Sequence, residues 1–202
     1  MSAKVSPTKG NLMKIKKSLE LAKVGYELLD RKRNILIRET MGLIDSAADI
    51  RKRINESYRL AYEALAKANM GLGVVDDFAA CVPIENGLSL SSRSVMGVEI
   101  PKVRLEAEKA DNYYGFRRTT AKLDEAYKLF NEAKVLTAEL AETENSVYRL
   151  ATGIKKAQKR ANALKNIVIP RFEEQVKTIT SALDEKEREE FSRLKVIKSY
   201  IE

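Results

Sequence analysis

Apolar residues in the first seventy positions recur at alternating steps of three and four. From Leu12 the series runs through Ile15, Leu19, Ala22, Tyr26, Leu29, Arg33, Leu36, Thr40, Leu43, Ala47, Ile50, Ile54, Ser57, Ala61, Ala64 and Ala68, interrupted only by Arg33, Thr40 and Ser57. A mean repeat of 3.5 residues keeps one stripe of a helix facing a partner helix. The series predicts a helix from about Pro7 to Leu72, roughly 100 Å long at 1.5 Å per residue, and hence a rod. From Ala126 the same stepping gives Leu129, Ala133, Leu136, Leu140, Thr143, Val147, Leu150, Ile154, Ala157, Ala161, Leu164 and Val168. Two such stripes joined by a connector fold back most simply on one another. The expected class is therefore all-α, a long antiparallel two-helix coiled coil. A parallel homodimer buries the same stripes but leaves the connector hard to place. The many seam alanines predict close approach of the two axes, with Leu and Ile in the alternate layers.

Punctuation along the chain divides it into an N-terminal helix (1–73), a connector (74–112) and a C-terminal helix (113–202), all within one elongated domain. Ser6-Pro7 reads as a helix start, with Ser6 as cap and Pro7 in the first turn. Gly10 and Gly25 inside the helix predict close approach of a neighbour. Gly71-Leu72-Gly73 predicts the helix end. In the connector, Val95-Met96-Gly97-Val98 predicts a tight turn with positive φ at Gly97, between strands at about Leu88–Val95 and Val98–Val103. Pro101 confines its strand to an edge, and so small a hairpin needs something to pack against. The second helix is expected to be under way by Tyr113-Tyr114 and to be kinked or interrupted after Ile169 by Pro170. Beyond it apolar positions continue at Phe172, Val176, Ile179 and Leu183, then Phe191, Leu194, Ile197 and Ile201. Acid-to-base pairs at four-residue spacing, Asp184 with Arg188 and Glu189 with Arg193, support a terminal helix, continuous or restarted at Ser181.

Composition narrows the classes. A third of the 202 residues are charged and Trp is absent, which suits long exposed helices with a narrow apolar seam. The single Cys81 cannot form an internal disulfide and reads as a small buried apolar residue. The opening MSAKVSPTKGNL has no apolar run of a secretory signal, and no stretch approaches the ~20 apolar residues of a membrane span. The net charge of +8 is dispersed, with acidic residues interleaved, and lacks the aromatic platforms of a single-strand binder.

Catalytic chemistry finds no footing. The chain has no His, which removes His-assisted nucleophiles and His acid–base work. One Cys excludes a Cys-rich metal centre, and no phosphate-binding G-x-x-x-x-G-K-[ST] occurs. The acidic run Asp184–Glu190 alternates with bases and reads as a solvated helix face. No catalytic, cofactor-binding or metal-binding residue is expected, and no cofactor.

The termini carry a family pattern. Pro7-Thr8-Lys9 with Leu12, Ile15-Lys16-Lys17, Leu19, Ala22, Gly25, Leu28-Leu29 and Lys32-Arg33 resembles the amino end of the D subunit of V-type and A-type rotary ATPases. Ile154-Lys155-Lys156, Arg160, Asn162-Ala163-Leu164, Val168-Ile169-Pro170-Arg171 and Glu187-Arg188-Glu189-Glu190-Phe191, with Arg193-Leu194-Lys195 and Ile197-Lys198, resembles its carboxyl end. Val95-Met96-Gly97-Val98 with Pro101 resembles its hairpin. The chain departs from the family at Lys159, where Arg is usual, and at Lys165, where Glu is usual.

The resemblance implies a central-stalk rotor subunit that is not itself an enzyme. Its coil would stand inside a ring of alternating catalytic and non-catalytic nucleotide-binding subunits (A and B). The hairpin end would meet a small F subunit and a socket subunit on the membrane rotor ring. Turning would couple ATP hydrolysis or synthesis to proton or sodium translocation, at the cytoplasmic side of the membrane and without insertion into it. With the chain ends in the ring, Lys14, Lys16, Lys17, Arg188, Arg193, Lys195 and Lys198 are the candidate stator contacts. Leu88, Val95, Met96, Gly97, Val98, Ile100 and Val103 are the candidate contacts for the F or socket subunit. The alternative is a basic coiled-coil adaptor or membrane-surface scaffold, recognisable by homodimerisation and by lipid binding that fades with salt. A nucleic-acid-binding rod ranks third and predicts a steep salt slope.

Overall fold

The computed structural model describes residues 6–105, 113–115, 117 and 119–201. The end of the connector at 106–112 and the side chain of Ile201 lie outside the described residues. In chain order the elements are α1 (Lys9–Leu72), α2 (Asp76–Ala79), β1 (Leu88–Val95), β2 (Val98–Leu105), α3 (Ala121–Ala163), a π-helical turn (Leu164–Val168) and α4 (Ile169–Ile201). The contacts fall into two compact units, one of Met1–Asn34 with Ile154–Glu202 and one of Ile35–Gly153. The protein is mainly helical, with long helices before and after a small antiparallel hairpin.

In the Ile35–Gly153 unit the predicted stripes form the seam. Leu36, Thr40, Ile54, Ala61, Ala64 and Ala68 of α1 are buried, as are Ala126, Ala133, Thr143 and Leu150 of α3. The two polar members are satisfied locally. Thr40 Oγ1 donates to Leu36 O at 2.7 Å and Thr143 Oγ1 to Glu139 O at 2.8 Å, so neither hydroxyl is an uncompensated buried donor. Arg51 meets Glu144 at 2.6 Å, Tyr58 meets Thr137 at 3.1 Å, and the Tyr62 and Phe130 rings lie edge to face at 5.4 Å. Partners advance along α1 as they retreat along α3, so the pair is antiparallel.

The unit of the chain ends is antiparallel by the same reasoning. Lys9 pairs with Glu187 at 2.8 Å, Lys23 with Glu173 at 2.8 Å, and Lys165 Nζ lies 5.8 Å from the Tyr26 ring centre. Among the described residues, Ala22, Ala157, Ala161 and Ile179 are its buried apolar ones. Arg33, the charged seam member, reaches Asp30 at 2.9 Å and Asn34 at 3.2 Å. Its Nε is buried without a hydrogen-bond partner.

Several expectations are corrected. Thr8, not Ser6, caps α1: Asn11 N–H donates to Thr8 Oγ1 at 3.3 Å, and the helix begins at Lys9, so Pro7 precedes it. At the other end Gly73, at φ 81°, returns its N–H to Asn69 O at 2.9 Å, an αL cap. Gly10 faces no neighbour within 4 Å, whereas Gly25 has Leu164 Cδ1 at 3.8 Å from a built Cβ. Cys81 is exposed rather than buried. α3 starts at Ala121, later than Tyr113-Tyr114, because Tyr114 is a core wedge: it is buried with Ala68 and Leu123, its ring 6.4 Å from Phe78 and 6.2 Å from Tyr127. The disturbance expected after Ile169 stands before it. Leu164–Val168 widens into a π turn in which Ile169 N–H reaches back to Leu164 O. Pro170, which has no N–H and whose ring crowds the carbonyl four residues earlier, then sits in the first turn of a continuous α4.

Candidate interaction surfaces

The hairpin closes through a two-residue turn, with Val95 paired to Val98 and the register continuing to Leu88 with Leu105. Met96 at φ 49° and Gly97 at φ 72° are both left-handed, the pattern of a type I′ turn, whose twist suits flanking strands. Gly97 accepts that conformation freely, while Met96 holds it as a non-glycine residue.

α3 supports β2 along one face. Glu142 Oε2 accepts the Val103 N–H at 2.7 Å, Ser146 Oγ donates to Pro101 O at 3.5 Å, and Arg149 Nη1 donates to Glu99 O at 3.4 Å. At the hairpin tip Val98 sits against Gly153, where an added Cβ would lie 2.8 Å from Val98 Cγ2. The sequence reading missed Gly153. Its only signal was a helical glycine that propensity disfavours.

Further along, Leu88, Leu90, Val103 and Leu105 of the hairpin and Tyr58 and Phe130 of the helices line a cleft of about 770 Å³. On its rim Lys134 Nζ meets Glu85 Oε2 at 2.5 Å, and Gly87 N–H donates to Glu85 Oε1 at 3.2 Å. The lysine contact, then the backbone donor, holds the Glu85 carboxyl below its ordinary value. Of the hairpin candidates, Leu88, Met96 and Gly97 are exposed, and Val95, Val98 and Val103 are half-buried. Ile100 is buried and serves the fold itself.

In the unit of the chain ends, Lys14, Lys16 and Lys17 on α1 and Arg188, Arg193, Lys195 and Lys198 on α4 are all exposed. Arg193 pairs with Glu189 at 3.7 Å, one of the acid-to-base pairs expected from spacing. Phe191, Leu194 and Ile197 are 68, 65 and 54% exposed. They continue the seam of α4 beyond Glu187, which faces Lys9 at the start of α1. Comparing the lengths of the two apolar series was the available signal for this stripe.

Among the described residues no group of three or more His, Cys, Asp or Glu could hold a metal ion, and no helix is long and apolar enough to cross a membrane. The fold defines a mainly helical protein of long paired helices that carries a small antiparallel hairpin. Residues 11–199 match the family model of the ATP synthase D subunit. The D subunit of the V-type ATP synthase of Thermotoga neapolitana is 42% identical over 199 residues, covering 98% of both chains. The D subunits of the A-type ATP synthases of Thermococcus sibiricus and Methanopyrus kandleri are 37% and 39% identical, each over 98% of this chain and over 95% and 87% of their own. The chain belongs to the ATP synthase D-subunit family, and is a structural, central-stalk component of a rotary ATPase complex.

Proposed function

We propose that the chain is the turning shaft of its complex and contributes no catalytic group. Its paired ends stand within the ring of catalytic and non-catalytic nucleotide-binding subunits. Its hairpin region engages the small F subunit and the socket subunit on the membrane rotor ring, at the cytoplasmic side. The observation that carries this reading is the end-to-end family match over residues 11–199. A two-helix coil has an asymmetric cross-section, so each angular position presents different surfaces to otherwise equivalent nucleotide sites. Differential contact free energy of this kind couples rotation to site occupancy.

The basic residues Lys14, Lys16, Lys17, Arg188, Arg193, Lys195 and Lys198 supply shifting polar contacts to the ring, and exposed charge permits sliding better than apolar anchorage. Isolation of the complex from host membranes under mild detergent, with subunit counting and Mg-ATP hydrolysis, tests the reading. A single copy with a full ring of nucleotide-binding subunits is the expected result. Recovery of the chain as a lone homodimer or with lipid would replace the shaft by the adaptor. Replacing the seven basic residues by Gln should weaken coupling of hydrolysis to ion movement. Unchanged coupling would remove them from the contact set.

A further inference from the structure

A two-stranded sheet has two outer edges, and here they are treated differently. Because Val95 and Val98 close the turn as a bonded pair, bonding alternates along the register. The backbone groups of Glu99, Pro101 and Val103 therefore point away from β1, and all three residues are engaged by α3 through Arg149, Ser146 and Glu142. The matching outward groups on β1 belong to Leu90, Ser92 and Ser94. Among the described residues nothing bonds to them. β1 runs for eight residues, Leu88–Val95, with no Pro and with Arg93 as its one charge. Natural proteins blunt such an edge with Pro, bulges, multiple charges or a covering element. Among the described residues, one edge of this hairpin is covered and the other is bare.

The two faces of β1 state what would pair with it. Leu88 and Leu90 face the cleft, so alternate residues of an added strand would stand beside them on an apolar floor. On the other side of the sheet Arg93, Lys102 and Arg104 are exposed, and among the described residues none of them forms a salt bridge. Residues of the added strand on that side would be acidic. A second copy of this chain pairing β1 to β1 would bring its own Arg93 to this one with no acidic residue on either β1 to offset it, and like charges across a sheet are destabilising.

We infer that β1 receives an extended segment from another subunit of the assembled complex. That segment is apolar at alternate positions and acidic at the intervening ones, and it adds as a third strand along Leu90, Ser92 and Ser94. The inference rests on the reading that the chain sits in an ATP synthase complex, and gives the chemistry of one contact within it.

The test is residue-resolved amide hydrogen exchange of the full chain, alone and in the complex isolated from host membranes. The amides of Leu90, Ser92 and Ser94 should exchange at least about tenfold more slowly in the complex, equivalent to about 1.4 kcal/mol of protection. Those of Ser91 and Arg93, already bonded within the hairpin, should change less. Ser92→Pro removes one outward N–H and no hairpin bond, and should lower retention of the partner by about tenfold, while Ser92→Ala should not. Protection of Ser91 and Arg93 in the free Ser92→Pro chain reports whether the hairpin still forms; if it does not, the comparison of the free and assembled wild-type chains decides. Unchanged exchange at Leu90, Ser92 and Ser94, in a complex that keeps its nucleotide-binding subunits, overturns strand addition and leaves the shaft reading standing. Recovery of the chain without those subunits overturns both. Protection that appears in a self-dimer replaces the partner strand with homotypic pairing.

Discussion

Replacing Gly153 with Ala sets two opposed effects against each other at one atom. Ala in a helix interior is favoured over Gly by about 0.5–1 kcal/mol. The new Cβ, however, would lie 2.8 Å from Val98 Cγ2, with Leu36 Cδ1 at 3.7 Å. Carbon atoms pack best at about 3.5–4.0 Å, so Val98 must withdraw by roughly 0.7 Å. Val98 is at the start of β2, held next to a closed turn and to a strand that α3 grips at Glu99. Overpacking of this kind costs about 1–3 kcal/mol, which leaves Gly153→Ala destabilising by about 1 kcal/mol. In a Val98→Ala background the clashing methyl is gone and the substitution should stabilise by up to about 1 kcal/mol, giving a coupling near 2 kcal/mol. Urea unfolding of the full chain, followed by circular dichroism across the four members of the cycle, measures that coupling. Equal effects of Gly153→Ala in both backgrounds would refute the argument that the hairpin tip needs this glycine.

Leu36→Ala and Leu150→Ala, the fully buried large side chains of the seam, should each lower stability by about 2–5 kcal/mol in the same assay. Glu187→Gln should change it little, because both it and its partner Lys9 are exposed and solvent screens such a pair. The Glu85 carboxyl is held low by Lys134 and by the Gly87 amide. Its contribution is full above the ordinary value of 4.5 and is lost as the pH falls through the lower folded value. Acid titration of hairpin amide signals should show this loosening, and Glu85→Gln should abolish the pH dependence. Tyr114 is pushed well up by burial and then by its hydroxyl bond to Asp124 at 2.8 Å. Its stabilisation is full below the ordinary phenol value and is lost as the pH rises through the higher folded value, so ultraviolet titration should show a late-ionising tyrosine that Tyr114→Phe removes.

Period carried most of the fold. Every member of both apolar series, from Leu12 to Ala68 and from Ala126 to Val168, is buried or half-buried, because a seam imposes itself on every turn of both helices. The hairpin was legible from Gly97 for a local reason, since glycine takes a left-handed conformation freely between two short strands; that Met96 shares it was not legible. Features that depend on a distant partner were not legible. Tyr114 looked like helix until Ala68 and Phe78 gave its ring a place, and Gly153 meant nothing without Val98. The candidate surfaces were half legible. The basic residues near the ends are exposed as expected, but spacing could not show that Ile100 turns inward or that α4 carries apolar side chains past Glu187.

Counted along the seam, the steps from Ala161 are three to Leu164, four to Val168, four to Phe172, four to Val176 and three to Ile179. Strict alternation would place a three between the fours, so the chain holds one residue more than its repeat can use. In a regular α-helix that surplus would rotate everything downstream by about 100° and turn Ile179, which is 3% exposed, off the interface. The wider π turn at Leu164–Val168 absorbs the surplus within a single turn and keeps the phase. Length is therefore negotiable at this one place. Deleting a residue from the turn should restore plain alternation and leave the downstream seam aligned, whereas the same deletion beside Leu140 would put every later seam residue out of phase.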